Sequence, residues 1–144
     1  MTLQRSITYL WAFPVSFIGL VPGALAKLFG AKIAVISGVL EISLAPRNSS
    51  LQALARRSAF SAITFGHVVL AASEQDQNHF RSHERVHVKQ YERWGPLFLL
   101  AYPAESAMQL LRGRRPYLDN RFEVQARERA ARRTNTSTEA RDDA

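Results

Sequence analysis

The longest apolar run of the chain lies at its N-terminus, where residues 7–29 include a single charged side chain, Lys27. Its length matches the roughly 20 residues that cross a bilayer. Two prolines and two glycines interrupt the run, which a membrane helix tolerates and a helix folded over a domain also accommodates. The Ala-Leu-Ala of residues 24–26 resembles a signal-peptide cleavage site. The pattern predicts an apolar segment over residues 1–30 of a membrane-associated protein, and leaves a membrane helix, a packed helix and a cleaved signal open.

The next part of the chain shows the short apolar runs that are typical of strands. Residues 31–37 and 39–45 are rich in β-branched side chains and predict two strands joined by a tight turn. Residues 62–71 predict a further strand, in which Gly66 indicates a bulge or a close approach of another backbone. Between them, residues 50–57 predict a short helix. We therefore expect a small antiparallel sheet.

Helical spacing replaces these runs in the second half of the chain. Residues 78–93 place apolar and histidine side chains at helical intervals, and the Gly-Pro pair that follows ends this helix. Residues 97–111 predict a second helix, apolar enough to be buried. Asp119 or Asn120 is a good N-cap for a last helix that runs to about Arg133.

Taken together, these elements predict an α+β fold in which one domain spans residues 31–133. A small antiparallel sheet precedes a metal-binding helix, a buried helix and a closing C-terminal helix, as in a minimal zincin. Residues 134–144 are polar, with alternating charges and no apolar periodicity, so they predict a disordered tail.

Composition supports a single folded domain and limits its chemistry. The chain has 144 residues, of which 47% are hydrophobic, so it can bury one core. It has no cysteine, which excludes disulfides and thiolate ligands, so histidines and carboxylates must hold any metal. The net charge of +7 is spread over arginine clusters without interleaved aromatic residues, and we expect no specific nucleic-acid partner.

The strongest chemical signal is the motif His-Glu-Arg-Val-His, which lies within the predicted helix 78–93. His83 and His87 are four residues apart, so their side chains lie on one face with about 5–6 Å between Cβ atoms. Both imidazoles can bind one zinc ion (Zn2+), which leaves a coordination position for water. Glu84 lies one residue further round the helix, where it can act as general base toward that water.

A catalytic zinc site needs a third protein ligand, and the sequence offers two candidates. His79 extends the histidine row backwards, but three residues in one row span about 12 Å of helix, too far for one ion. Glu123 is the better candidate, although it can instead form an exposed ion pair with Arg127. Asp119 or Asn120 is then expected to orient a ligand imidazole through its second nitrogen.

Two segments, HERVHVKQYERWGPLF at residues 83–98 and PYLDNRFEVQA at residues 116–126, resemble the gluzincin-type zinc metallopeptidases. That family pairs a helix bearing HExxH with a later helix that supplies a glutamate. The resemblance covers roughly residues 61–130 and extends to small bacterial membrane-associated HExxH proteins. It implies the same three ligands and the same general base.

The resemblance also implies that the strand before the metal-binding helix, residues 62–71, binds an extended substrate by edge pairing. On that strand His67 is a candidate to stabilise an oxyanion, and Tyr117 and Tyr102 are alternatives for this role. We therefore expect a zinc-dependent hydrolase of the metallopeptidase kind, whose substrate is a peptide or protein. The alternative is a membrane-associated interaction or scaffold protein with a structural or vestigial zinc site.

Overall fold

The computed structural model of the chain describes residues 3–44 and 61–142, and the side chains within 6–44 and 61–133. It has the expected α+β class. The elements in chain order are α1 (Leu3–Leu28), β1 (Lys32–Ile36), β2 (Val39–Ser43), β3 (Ala62–Phe65), β4 (Val68–Ala71), α2 (Glu74–Trp94), a 3-10 turn (Gly95–Leu97), α3 (Phe98–Leu111) and α4 (Arg121–Asp142). The short helix predicted at residues 50–57 lies outside the described residues.

The sheet is mixed, which corrects the prediction of an antiparallel one. Its strand order is β1-β2-β4-β3, with antiparallel pairs β1–β2 and β3–β4 at the two sides and a parallel pair β2–β4 in the middle. A parallel pair needs a long crossover, and residues 44–67, which include β3, supply it here. Within the described part of the chain, β3 is an edge strand of the sheet.

The single strand predicted over residues 62–71 is instead a hairpin, β3–β4. Gly66 has a φ of +60°, and this left-handed conformation interrupts the strand. A Cβ atom at Gly66 would lie 2.9 Å from both the oxygen of Ala12 and the nitrogen of Ser16, both on α1. The close backbone approach predicted at this glycine is therefore confirmed, although it occurs in a turn.

Helix α1 packs one face against the sheet through small side chains. Ala12 and Val15 are completely buried. A Cβ at Gly19 would lie 2.7 Å from the Cβ of Phe65 and 3.1 Å from that of Val68, so glycine permits this close contact. Residues 6–28 are also long and apolar enough to cross a membrane, by length and composition alone. Signal sequences and core helices meet the same criterion, so the packed face of α1 is shown, and its length and composition leave the other two predicted interpretations open.

Helix α2 begins four residues earlier than its sequence pattern predicts. Ser73 is its N-cap, because the Oγ of Ser73 accepts a hydrogen bond of 3.0 Å from the backbone nitrogen of Asp76. Glu74 and Asp76 in the first turn place negative charge at the positive end of the helix dipole, which stabilises the helix. The helix ends at Gly95, as the sequence predicts.

The last helix closes the core that positions the site. The predicted N-cap is confirmed for Asn120, whose Oδ1 accepts a hydrogen bond of 2.9 Å from the nitrogen of Phe122. The helix continues to Asp142, beyond Arg133, where the sequence pattern predicts the start of a disordered tail, and no proline or glycine interrupts it. A buried cluster joins it to α1, α2 and α3 and consists of Ala12, Val15, Tyr91, Phe98 and Phe122.

Candidate metal centre

Helices α2 and α4 bring His83, His87 and Glu123 together. The two Nε2 atoms of the histidines lie 3.1 Å apart. Glu123 presents one carboxylate oxygen to each, Oε2 at 3.2 Å from His83 and Oε1 at 3.2 Å from His87. These three residues offer ligand atoms that can hold one metal ion. Both the histidine pair and the downstream glutamate were predicted from the sequence.

The cluster is buried and leaves one acceptor unsatisfied. Glu123 is 3% exposed and His87 is 7% exposed. The Oε2 atom of Glu123 accepts no hydrogen bond from any residue within 6–44 and 61–133. Buried polar atoms almost always have a partner, because removing them from water without one costs about 1–3 kcal/mol. A cation between this oxygen and the imidazoles would satisfy it.

Electrostatics favour positive charge at this position. Burial alone would raise the pKa of Glu123, but the imidazoles of His83 and His87, each 3.2 Å from one of its oxygens, hold that pKa well below its ordinary value. Burial alone would lower the pKa of His87, yet the hydrogen bond to Glu123 and the charge of Glu84 raise it. The field that holds a proton on His87 would equally stabilise a metal ion at the same nitrogen.

Gln90 fixes which nitrogen of His87 faces the cluster. The Oε1 atom of Gln90 lies 2.8 Å from Nδ1 of His87. Its Nε2 donates hydrogen bonds to the oxygen of Phe122 at 3.0 Å and to Oε1 of Gln125 at 3.1 Å, which sets the orientation of the amide. Nδ1 of His87 therefore carries the hydrogen, and the lone pair of Nε2 is free for a metal.

The sequence assigned this orienting role to other residues, and the structure corrects it. Asp119 is on the surface and accepts a hydrogen bond of 2.9 Å from the nitrogen of Arg115. Asn120 is completely buried and donates to the oxygen of Tyr102 at 3.1 Å and to Oγ of Ser106 at 2.8 Å. Asn120 thus connects the start of α4 to α3. None of its described hydrogen bonds is to an imidazole.

Gln90 was missed, although a signal for it was present. It lies three residues after His87 on the same helix, a spacing at which side chains are neighbours. A polar amide three residues after a ligand histidine is the pattern that could have identified Gln90 as the hydrogen-bond partner of His87.

Glu84 lies in the same cavity as the cluster and is held by the sheet. The Oγ1 of Thr64, on β3, donates a hydrogen bond of 2.7 Å to Oε2 of Glu84, and both residues are buried. Thr64 was also missed, because nothing in the sequence of a strand indicates which helix residue it will face. The hydrogen bond restricts where the carboxylate of Glu84 can point.

The cavity has a volume of about 230 Å³ and is mostly apolar. All four residues of β3 line it on one side, together with His83, Glu84 and His87 of α2. The remaining wall is largely aromatic and includes Tyr91, Phe98, Tyr102 and Tyr117. A ligand in this cavity would therefore touch an edge strand and the candidate metal ligands at once.

Two tyrosines of this wall are near Glu123. The hydroxyl of Tyr102 donates a hydrogen bond of 2.7 Å to Oε1 of Glu123, and burial together with this contact raises the pKa of Tyr102. Burial and the charge of Glu123 also raise the pKa of Tyr117, to about 12. Tyr117 is nevertheless 47% exposed. Both hydroxyls therefore remain protonated hydrogen-bond donors near neutral pH.

His67 is not brought to this cavity. It lies in the turn between β3 and β4, where its ring stacks on that of Tyr9 with 4.0 Å between centroids. Its Nε2 is 3.2 Å from Oε1 of Glu92, and burial lowers its pKa. His67 and His79 both line a different cavity, of about 640 Å³. The oxyanion role predicted for His67 thus has no geometric support, and the exclusion of His79 from the ligands agrees with its position.

Comparison of the chain with protein-family models, with curated proteins and with solved structures found no match. The resemblance to gluzincins is therefore supported in the structure only by the possible metal cluster of His83, His87 and Glu123. The chemistry of the site has to be derived from its own geometry.

Proposed function

We propose that the chain is a zinc-dependent hydrolase of the metallopeptidase type, with Glu84 as general base. The observation that carries the proposal is the close spacing of the two imidazole nitrogens and the carboxylate of Glu123. A tetrahedral ion with bonds of about 2.0–2.1 Å separates its ligand atoms by about 3.3 Å. The two Nε2 atoms are 3.1 Å apart, and each lies 3.2 Å from a different oxygen of Glu123. One ligand atom from each of the three residues lies within 4.8 Å of the other two.

The ligand set supports zinc and an open coordination position. Two imidazoles and one carboxylate, with no thiolate, are typical of catalytic zinc sites, which keep a fourth position for water. The same set can hold ferrous iron at three positions of an octahedron. The buried carboxylate of Glu84 beside the ligands favours zinc, because a hydrolytic site needs a base close to the metal-bound water.

Bound zinc would polarise a substrate carbonyl and lower the pKa of water to about 7. Glu84 would be the proton acceptor beside that position, and Thr64 holds its carboxylate through a 2.7 Å hydrogen bond. Tyr102 already donates to Glu123. Tyr117 is the more exposed of the two tyrosines, and its protonated hydroxyl is the better candidate to donate a hydrogen bond to the developing oxyanion.

The substrate class follows from β3. Among the strands of residues 3–44 and 61–142, this strand pairs with β4 alone, at the end of the order β1-β2-β4-β3, and it lines the cavity. An extended peptide can add to such an edge through backbone hydrogen bonds. Its scissile carbonyl would then lie beside the ligands of α2, which favours a peptide over a small amide.

The alternative remains a membrane-associated interaction or scaffold protein that holds zinc for structural reasons. The two proposals differ in what Glu84 does, since it is not among the three ligand residues of the cluster. A structural site has no need of a base, whereas loss of a general base lowers turnover by about 10²–10⁴-fold.

The test compares the purified wild type with Glu84→Gln. We expect one zinc per chain in both proteins and cleavage of a peptide library by the wild type alone. His87→Ala should lose the metal, and His79→Ala, outside the cluster, should keep it. A wild type that binds zinc and cleaves nothing would refute the enzyme and favour the scaffold. Iron in place of zinc would refute the metal assignment.

A further inference from the structure

Helix α1 has two different faces over residues 6–28, where its side chains are described. The face toward the protein carries small or polar side chains, including Ala12, Val15, Ser16 and Gly19. The opposite face carries large apolar side chains that are 39–81% exposed: Ile7, Leu10, Trp11, Phe13, Phe17, Ile18, Leu20, Val21, Leu25 and Leu28. No charged residue occurs between residues 6 and 26. Such a strip suits hydrocarbon and is poorly suited to water.

The packed face of α1 contacts the rest of the protein near both ends and in the middle of the helix. Near the N-terminal end, the hydroxyl of Tyr9 donates a hydrogen bond of 2.8 Å to the oxygen of Gly38. In the middle, Oγ of Ser16 accepts one of 2.9 Å from the nitrogen of His67. Near the C-terminal end, Gly23 lies against Ile42. The sheet and its turns therefore contact the helix at three levels between Tyr9 and Gly23.

Charged groups occur beside both ends of that packed face. Arg85 donates to the oxygen of Ile36, next to the turn that Tyr9 contacts, and also pairs with Glu41. At the other end, Lys32 follows the helix directly and pairs with Glu74. In an arrangement that crossed a bilayer, these two charges would lie at the membrane surfaces.

The middle of the packed face also lies near charged groups. His67, whose nitrogen donates to Ser16, is 3.2 Å from the carboxylate of Glu92, which pairs with Lys89. If α1 crossed a bilayer in this arrangement, Glu92 and Lys89 would enter the hydrocarbon, at a cost of about 2.5–3.5 kcal/mol for each central charge.

We propose that α1 lies in the plane of one membrane leaflet, with its exposed apolar face in the lipid and its small-residue face on the protein. Helices of this kind insert their apolar face about 5–10 Å into the boundary of headgroups and acyl chains. The net charge of +7 and the exposed Lys27 favour an anionic leaflet. This proposal concerns the surface alone and holds with or without the zinc chemistry.

The chain lends itself to a direct measurement, because it has no cysteine. Leu10→Cys, Phe17→Cys and Leu28→Cys place single probes along the exposed face. The first and last of these positions are about 27 Å apart along the axis, close to the thickness of the hydrocarbon core. Glu128→Cys, exposed on α4, is the control.

Each full-length variant carries an environment-sensitive fluorophore and is added to vesicles of phosphatidylcholine and phosphatidylglycerol. Nitroxides placed at shallow or deep acyl carbons then report the depth of each probe. We expect all three probes to be quenched more strongly by the shallow nitroxide than by the deep one. The Glu128 probe should remain unquenched.

Two results would overturn the proposal. Deep quenching at Phe17 with shallow quenching at Leu10 and Leu28 would mean that α1 crosses the bilayer. No quenching at any of the three, together with a dimer in solution, would mean that a second copy covers the face. These three positions are 58–81% exposed, and substitutions at exposed positions usually change stability little. A circular dichroism spectrum and melt of each variant confirms that it folds like the wild type.

Discussion

The side-chain oxygen of Gln90 lies 2.8 Å from Nδ1 of His87, while the amide nitrogen of the same Gln90 donates to the oxygen of Phe122 at 3.0 Å. One side chain thus connects a candidate metal ligand on α2 to the first turn of α4. Because Glu123 follows Phe122 directly, Gln90 ties the positions of two ligands to each other. A metal site assembled from two helices depends on such a connection.

Replacing Gln90 should therefore weaken metal binding without removing a ligand. We expect Gln90→Met, which keeps the volume and loses both hydrogen-bonding functions, to reduce zinc affinity by about 10–100-fold. Competition with a chromogenic chelator measures the change. Gln77→Met is a matched control, since Gln77 is equally buried on α2 and is not among the cluster residues. Equal losses in both variants would mean that the effect is general destabilisation.

Thr64 should act on turnover through the carboxylate of Glu84. Thr64→Val keeps the shape and removes the hydroxyl that donates to Oε2. Losing one buried hydrogen bond to a charged group costs about 1.5–3 kcal/mol, so we expect kcat to fall by about tenfold or more with KM and zinc content unchanged. Thr64→Ser restores a hydroxyl and should recover most of kcat. A rise in KM alone would instead indicate that Thr64 contacts the substrate.

The metal-free protein should become less stable as the pH rises above about 6.5. The folded-state pKa of His87 is raised from 6.5, so its contribution to stability is complete below that pH and is lost as pH rises through the folded value. The pKa of Glu123 is lowered from 4.5, so its contribution is present above that pH and is lost in acid. The cluster therefore favours the folded state most between these two values.

Thermal melts in a chelator, at pH 6 and pH 8, measure this dependence. We expect a higher Tm at pH 6, and a smaller difference between the two pH values in His87→Gln. Zinc should reverse the trend, because it competes with the proton for Nε2 and binds better at pH 8. A metal-free wild type that is more stable at pH 8 would show that other groups dominate the pH response.

The contact between the sheet and α2 should depend on Glu41. This carboxylate is almost fully buried on β2 and pairs with Arg81 at 3.0 Å and Arg85 at 2.7 Å. Removing one partner of a buried ion pair costs about 3–5 kcal/mol. We expect Glu41→Gln to cost about 2–3 kcal/mol, less than that range, because both arginines are partly exposed to screening water.

Urea unfolding measures the loss for Glu41→Gln. The control is Glu74→Gln, which removes an exposed pair with Lys32 and should change stability by about 0–1 kcal/mol. A similar small effect at Glu41 would mean that solvent screens its pairs as completely as those on the surface.

The sequence by itself determined the features that depend on local periodicity. His83, Glu84 and His87 lie within five residues of one helix, so the helical repeat alone sets their relative positions. The N-cap at Asn120 is equally local, since it follows from the conformational preference of one residue type. The α+β class was accessible for the same reason. Gly66 marks a close approach in the sequence, but its partner, the backbone of α1, is distant in the chain.

The features that only the tertiary structure decided involve residues far apart in the chain. The parallel pairing of β2 with β4, the hydrogen bond from Thr64 to Glu84 and the link from Gln90 to Phe122 all depend on which faces pack together. His67 was expected near the metal because a single strand would pass the helix there, but the turn at Gly66 sends it to another cavity. Local preferences do not encode such pairings, because the packing energy of the whole chain selects them.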